Sequence, residues 1–199
     1  MKHMILGILA IIAAAPAVWA QSAESPTYSV GDTWKRSHGQ ELKVVSVDDQ
    51  GTTLSGVLLD CATCLGRLDK DLALKDVTTA DGKPVDVTSV RSVLIGSNWK
   101  FYEWPLEVGK RWSTSGMGYF KGQSQRYEID FMVRAYEDIK TKAGAFRAYK
   151  IEQTWSNPGP YGSHWTNTWW YAPEVKSVVK VTSTNRNSTD WELVSYSVK

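Results

Sequence analysis

Cysteine is nearly absent: the 199 residues contain two, Cys61 and Cys64, and neither follows the apolar N-terminal run, where a lipid-bearing cysteine would stand. Leu65 occupies the place where a haem-attachment motif needs histidine after Cys61-Ala62-Thr63-Cys64, which argues against covalent haem. No G-x-S-x-G, H-E-x-x-H, glycine-rich phosphate loop or D-x-D-x-D-G calcium loop occurs, so the common hydrolase, zinc-protease, nucleotide and calcium signatures are missing. Neither sign of charge dominates. Setting aside Lys2, which lies in the leader described next, 23 − 1 = 22 basic side chains face 21 acidic ones, a balance that offers no electrostatic case for nucleic acid or an anionic membrane surface. Phenylalanine is scarce at four residues, whereas tryptophan reaches ten and tyrosine nine, so the aromatic content is amphipathic.

What is present begins with the first twenty residues. Lys2 and His3 precede an apolar run from Met4 to Ala15, then Pro16 and the small-residue ending Ala17-Val18-Trp19-Ala20. That pattern predicts a cleaved secretory signal at residues 1–20 and a mature N-terminus at Gln21. A retained membrane anchor needs roughly twenty apolar residues, and Pro16 with Gln21-Ser22 cuts the run short. The expected product is periplasmic or secreted, with no stable membrane anchor. It carries a flexible tail at 21–27 and one antiparallel β domain at 28–199, in which 199 − 20 = 179 residues suffice for one sizeable core.

Strand patterns fill that domain. Tyr127, Ile129, Phe131, Val133 and Ala135 alternate with Glu128, Asp130, Met132 and Arg134, the period of two expected of an antiparallel sheet with one dry face. Leu42 to Val47, Thr52 to Leu59 and Leu68 to Leu74 read as shorter strands, with Asp48-Asp49-Gln50-Gly51 as hairpin chemistry between the first two. Further turns are expected at Asp81-Gly82-Lys83-Pro84 and Thr141-Lys142-Ala143-Gly144. Between them lie an apolar patch at Val90 to Ile95 and an aromatic knot of Trp99, Phe101, Tyr102 and Trp104 that ends at Pro105. From Arg147 to Val181 three strand-like runs are joined by two turn signals, the first being Asn157-Pro158-Gly159-Pro160-Tyr161-Gly162. In the last runs Val179 and Val181 are expected to share a face, as are Val194, Tyr196 and Val198. Val30-Gly31-Asp32-Thr33-Trp34 recurs as Val108-Gly109-Lys110-Arg111-Trp112, each copy leading into a strand through a glycine-permitted bend. With no crossover helix in the pattern, the expected fold class is all-β: an antiparallel barrel or strongly curved half-barrel, with a β-sandwich as the alternative.

Several pieces also carry a resemblance. They are Tyr28-x-Val30-Gly31-Asp32-x-Trp34, Trp104-Pro105-Leu106-Glu107-Val108-Gly109-Lys110-x-Trp112, Lys142-Ala143-Gly144-Ala145-Phe146, Trp170-Tyr171-Ala172-Pro173-Glu174-Val175 and Glu192-Leu193-Val194-Ser195-Tyr196. Together they resemble a group of exported proteobacterial β-sheet proteins of unknown function. The resemblance spans most of the mature chain and implies a curved-sheet periplasmic domain, similar to lipoprotein-carrier half-barrels. It brings no catalytic motif, and Cys61 to Cys64 fall outside it.

Three kinds of side chain are candidates for chemistry. In an oxidising compartment Cys61 and Cys64 are expected to pair as a local clip; the alternative is a thiol-disulfide active protein, which the neighbouring Asp60 opposes by disfavouring a thiolate. His38 and His164 are too scattered from the thiols for an expected zinc site, and no metal or cofactor is expected. The carboxylate pairs Asp69/Asp71, Glu128/Asp130 and Glu137/Asp138 read as solvated faces rather than a glycosidase dyad. That leaves the rings. Trp165, Asn167, Trp169 and Tyr171 share one face of a regular strand and His164, Thr166, Thr168 and Trp170 the other. Trp99, Trp104, Tyr161, Trp165, Asn167, Trp169 and Tyr171 are therefore the expected lining of a site for an apolar, amphipathic or sugar ligand, with core filling as the competing explanation. The expected function is non-enzymatic binding or carriage of such a ligand; the alternative is a structural or partner-binding envelope protein.

Overall fold

The computed structural model describes residues 22–61, 63–86, 92–94, 99–120, 123–158 and 162–199. The expected signal segment, Tyr161 and the outer parts of the Val90 to Ile95 patch lie outside the described residues.

The first five strands are β1 (Thr33–Arg36), β2 (Glu41–Asp48), β3 (Gly51–Ser55), β4 (Leu65–Leu68) and β5 (Leu74–Thr78). After a long connection come β6 (Ser92–Leu94), β7 (Arg111–Phe120), β8 (Gln123–Thr141), β9 (Gly144–Asn157), β10 (Ser163–Ala172), β11 (Ser177–Ser183) and β12 (Trp191–Ser197). They form one twelve-stranded sheet in the order β5-β4-β3-β2-β1-β12-β11-β10-β9-β8-β7-β6. All of the pairings between these strands are antiparallel. Each strand therefore lies beside its neighbour in sequence, the first beside the last, and the up-and-down ring is broken at one seam, between β5 and β6. The all-β, curved and unclosed sheet is the expected fold class.

Alternation decides which side chains meet. On β8, Ile129, Phe131 and Val133 are buried while Glu128, Asp130 and Arg134 are exposed or half-buried. The expected next member, Ala135, does not continue that face, because the register with β9 shifts between Val133 and Ala135. One extra residue reverses every side chain beyond it, so Tyr136 takes over and its ring lies 4.4 Å from that of Tyr149. A second shift, between Trp170 and Tyr171 on β10 opposite β11, separates Val179 from Val181: they join different clusters instead of one face. On β12 it is Leu193 that is sealed, while Tyr196 of the expected Val194, Tyr196, Val198 face is exposed. The expected strand from Leu68 to Leu74 is interrupted by a turn. Asp69 Oδ1 accepts from the N–H groups of Asp71 and Ala73, both at 2.9 Å, and Leu72 adopts φ 57°. β3 likewise stops at Ser55, short of Leu59.

The two V-G-x-x-W segments build the same corner. Gly31 and Gly109 have φ of 95° and 92°, a region that favours residues without a Cβ. Gly31 N–H donates to Val44 O, and Val44 N–H to Asp32 O; Gly109 N–H donates to Val133 O, and Val133 N–H to Lys110 O. Each corner delivers a buried tryptophan whose indole N–H donates to a backbone carbonyl, Trp34 to Val175 O at 2.7 Å and Trp112 to Lys100 O at 3.2 Å. The recurrence in sequence is thus a recurrence of structure.

Two main apolar clusters occupy opposite faces of β9 and β10. Phe146, Ala148, Trp170 and Ala172 join Trp34, Val44, Leu54 and Leu193 in one. Tyr149, Ile151, Trp155 and Tyr171 join Trp99, Tyr102, Leu106, Trp112 and Phe131 in the other, with Trp104, Trp165, Trp169 and Trp191 packed against it.

Candidate ligand-binding site

Beside the aromatic cluster the sheet borders a cleft, open to solvent, of about 750 Å³, within the range of about 300–1,000 Å³ that suits a small-molecule ligand. Both halves of the ring line it. Trp155 on β9, Trp165 and Trp169 on β10 and Trp191 on β12 supply indole faces, with Tyr127 from β8 and Val181 from β11. The opposite wall comes from the N-terminal strands: Arg36 and the turn residues His38 and Gln40 after β1, and the stretch Val57 to Asp60 after β3.

The rings are locked by each other. Trp155 and Trp165 stack with centroids 5.4 Å apart, directly opposite in the β9–β10 register, and the Tyr127 ring meets both edge-on at 6.0 and 6.2 Å. Trp169 is backed by Phe101 and Tyr102 at 6.3 Å each. Such offset and edge-to-face pairs fix ring orientation, so the indole wall is preorganised rather than formed on binding.

The polar wall is less satisfied. Arg36 Nη1 donates to Gln40 Oε1 at 2.6 Å, and Cζ lies 4.2 Å over the Trp191 ring. Its Nε is buried without a partner, and burial lowers the guanidinium pKa to about 10 although the nearby phenols Tyr102 and Tyr28 act against the fall. His38 Nδ1 and Asn167 Oδ1 are also buried and unpartnered. The His38 pKa is lowered, first by burial and then by the Arg36 charge, with Gln40 opposing. Gln40 Nε2 is used up on the carbonyls of Gly56 and Val57, at 2.9 and 3.2 Å. It therefore ties the β1–β2 turn to the opposite stretch.

Of the residues singled out in the sequence, Trp165, Asn167 and Trp169 line this cavity. Trp99 and Tyr171 are buried in the aromatic cluster, and Trp104 stacks on Tyr102 at 4.9 Å behind the wall. Burial raises the Tyr102 and Tyr171 phenols well above the ordinary tyrosine range and pushes Tyr149 up to about 12. Arg36, Gln40, Trp155 and Trp191 were not among the expected lining. Arg36 had a signal: it stands two residues after Trp34 on one strand, and an arginine in step with a buried tryptophan is a cation facing inward.

Cys61 and Cys64 form a disulfide with Cα atoms 5.4 Å apart. Cys64 packs with Leu58 and Val77 in a small third cluster just behind the cavity wall. The carboxylate pairs serve structure: Asp69 caps its turn and pairs with Lys75 at 2.6 Å, Glu128 with Arg126 at 3.3 Å, and Glu137 accepts from Trp170 Nε1 at 2.9 Å. Among the described residues no three His, Cys, Asp or Glu side chains converge as metal ligands.

No protein-family model matches the chain, and no curated protein matches it. Among solved structures it is similar to the hypothetical lipoprotein YmcC from Escherichia coli, at 11% identity over 89% of this chain and 90% of that one, with a TM-score of 0.45. A provisionally named lipoprotein from Parabacteroides distasonis is similar at 12% identity over 89% and 100% of the two chains, TM-score 0.45. A provisionally named exported protein with YmcC-like fold from Bacteroides fragilis is similar at 15% identity over 88% and 99%, TM-score 0.49.

Proposed function

We propose that this chain is an exported, non-enzymatic envelope domain that binds or carries an apolar or amphipathic small molecule in the cavity between its two halves. The observation that carries the reading is the wall of four tryptophans, Trp155, Trp165, Trp169 and Trp191, around about 750 Å³. A core of aliphatic residues would close such a sheet without leaving that space, whereas indoles fixed by mutual stacking hold a broad apolar surface open. Export is supported by the leader pattern of residues 1–20 and by the Cys61–Cys64 bridge, a bond characteristic of oxidising compartments.

The test uses the neutral fluorophore N-phenyl-1-naphthylamine, whose uptake near these indoles is read by energy transfer from tryptophan. Saturable uptake, competed by decanol and weakened in Trp169→Ala, is expected. No uptake by the folded protein would remove the reading.

A further inference from the structure

We propose that the ligand is an amphiphile with an anionic oxygen head group, a carboxylate or a phosphate, and that Arg36 receives that head group inside the cavity. The inference rests on the binding function proposed above and specifies its chemistry.

A guanidinium carries five N–H donors and no acceptor, and withdrawing even part of it from water without a counter-charge is costly, as for the half-buried Arg36 with its sealed Nε. Arg36 finds little within the chain: one hydrogen bond to the neutral Gln40 and the face of Trp191. No described carboxylate forms an ion pair with it, whereas Asp32, which has no solvent exposure, is matched by Lys176 at 3.1 Å and the partly buried Asp69 by Lys75 at 2.6 Å. Its Nε–H remains unused. Nε–H and an adjacent terminal N–H form the planar fork that matches two oxygens of a carboxylate or phosphate.

The surroundings set the rest of the ligand. Arg36 shares the cavity with Trp155, Trp165, Trp169 and Trp191, so a molecule whose head reaches the guanidinium lays its remaining length against indole. A small inorganic anion would leave that wall bare, and a neutral lipid would leave the guanidinium uncompensated. The unpartnered His38 Nδ1 lies on the same wall, placed to add a second donor when the imidazole is protonated.

Two features of the chain make the alternative, a purely structural Arg36, unattractive. A structural arginine is normally retained for the acceptors it holds together, and here it holds one. Moreover, a long apolar side chain such as methionine would fill the same path along Trp191 without the charge, and such replacements of buried charges are often neutral or stabilising.

The experiment compares decanoate, decyl phosphate and decanol, each below its aggregation concentration, by tryptophan fluorescence and by displacement of N-phenyl-1-naphthylamine from the full mature protein. Both anions are expected to bind at least about tenfold more tightly than the alcohol, the worth of one charge-assisted hydrogen bond. In Arg36→Met the preference for the anions over decanol should be lost, and the melting temperature should be equal or higher. Arg36→Lys should keep part of the preference. Equal binding of decanol and decanoate by the unmodified protein would overturn the head-group assignment while leaving the binding function standing, and this comparison needs no variant. Preference for the anions that persists in Arg36→Met would also overturn it. If none of the three binds, both readings fall together. The ratio between decanoate and decyl phosphate tells which oxyanion is favoured.

Discussion

Trp169 and Trp170 are adjacent in sequence and enter opposite faces of β10, and the two faces are finished differently. On the Trp170 side the polar groups are matched. Trp170 Nε1 donates to Glu137, Trp34 Nε1 donates to Val175 O, and the sealed Asp32 accepts from Ser29 N–H, Lys199 N–H and the Lys176 ammonium. Around the cavity and the aromatic cluster beside Trp169 lie the five buried side-chain atoms without partners among the described residues: Arg36 Nε, His38 Nδ1, Trp104 Nε1, Gln153 Nε2 and Asn167 Oδ1. Buried polar groups are ordinarily satisfied because each orphan costs about 1–3 kcal/mol. Among the described residues the matched polar groups support stability, and the orphans gather where the proposed ligand would lie.

The largest effect should come from truncating the matched face. Trp34→Ala removes a side chain that is 2% exposed together with its hydrogen bond, and is expected to cost about 4 kcal/mol in urea unfolding. Trp169→Ala, half-buried on the cavity wall, should cost distinctly less and abolish most probe uptake. If the two losses of stability were equal, Trp169 would be a core residue and the contrast between the faces would vanish.

Next comes Asp32. Its carboxylate has no solvent exposure, and burial raises its pKa, but the hydrogen bonds from Ser29, Lys199 and Lys176 together outweigh that rise and the net shift is downward. A lowered carboxylate pKa contributes stability in full above the unfolded value of about 3.9 and loses it as pH falls through the lower folded value. Asp32→Asn, which removes the carboxylate that pairs with Lys176 and leaves its ammonium only the Lys199 carbonyl oxygen, is expected to cost about 3 kcal/mol at pH 7. The gap from the parent protein should hold above about pH 5 and close below about pH 4. A gap independent of pH would mean that the carboxylate charge contributes nothing.

How far these faces were legible in the sequence varies with bulges. The twelve-strand meander follows from alternation and turn chemistry: Asp48 to Gly51, Asp81 to Pro84 and Thr141 to Gly144 all turn where their residue types allow it. The aromatic face of β10 was legible too, since no bulge falls between Trp165 and Trp169. Ala135, Val179 and Leu193 were not, because each lies beyond a register shift, and an extra residue in one strand depends on its partner rather than on local composition. The cavity was half legible for the same kind of reason. Its indole strand announces itself, whereas the Arg36 wall is brought across only by the pairing of β1 with β12, a contact between the two ends of the chain.

A smaller effect is expected at the disulfide, which adjoins the cavity side through Leu58 and the stretch after it. A bridge between residues three apart closes a short loop, worth at most about 2 kcal/mol on the chain-entropy relation. Reduction, or replacement of both cysteines by serine, should lower the unfolding midpoint modestly and loosen probe binding, leaving the Trp34 environment unchanged. Both thiols titrating in the unreduced protein, or reduction unfolding the whole domain, would contradict a local clip.

The smallest effect separates the faces by the sign of a pH dependence. His38 packs 5.6 Å from the Trp191 ring and next to Arg36, and burial followed by the Arg36 charge lowers its pKa, with the Gln40 side chain opposing. A histidine whose folded pKa lies below the unfolded value of about 6.5 gives its full stability above that pH and loses it as pH falls through the folded value, because the unfolded chain then binds the extra proton. The ligand-free protein should therefore become slightly less stable between about pH 7 and 5, and His38→Gln should flatten that slope while leaving the acid loss due to Asp32 intact. An anion bound at Arg36 reverses the local charge and favours the imidazolium, so decanoate affinity should rise over the same interval in which the free protein loses stability. Thermal melts of the free protein and decanoate titrations across that interval, on the parent and on His38→Gln, give both signs. Slopes that survive in His38→Gln would show that another group titrates there and would separate the imidazole from the head-group site.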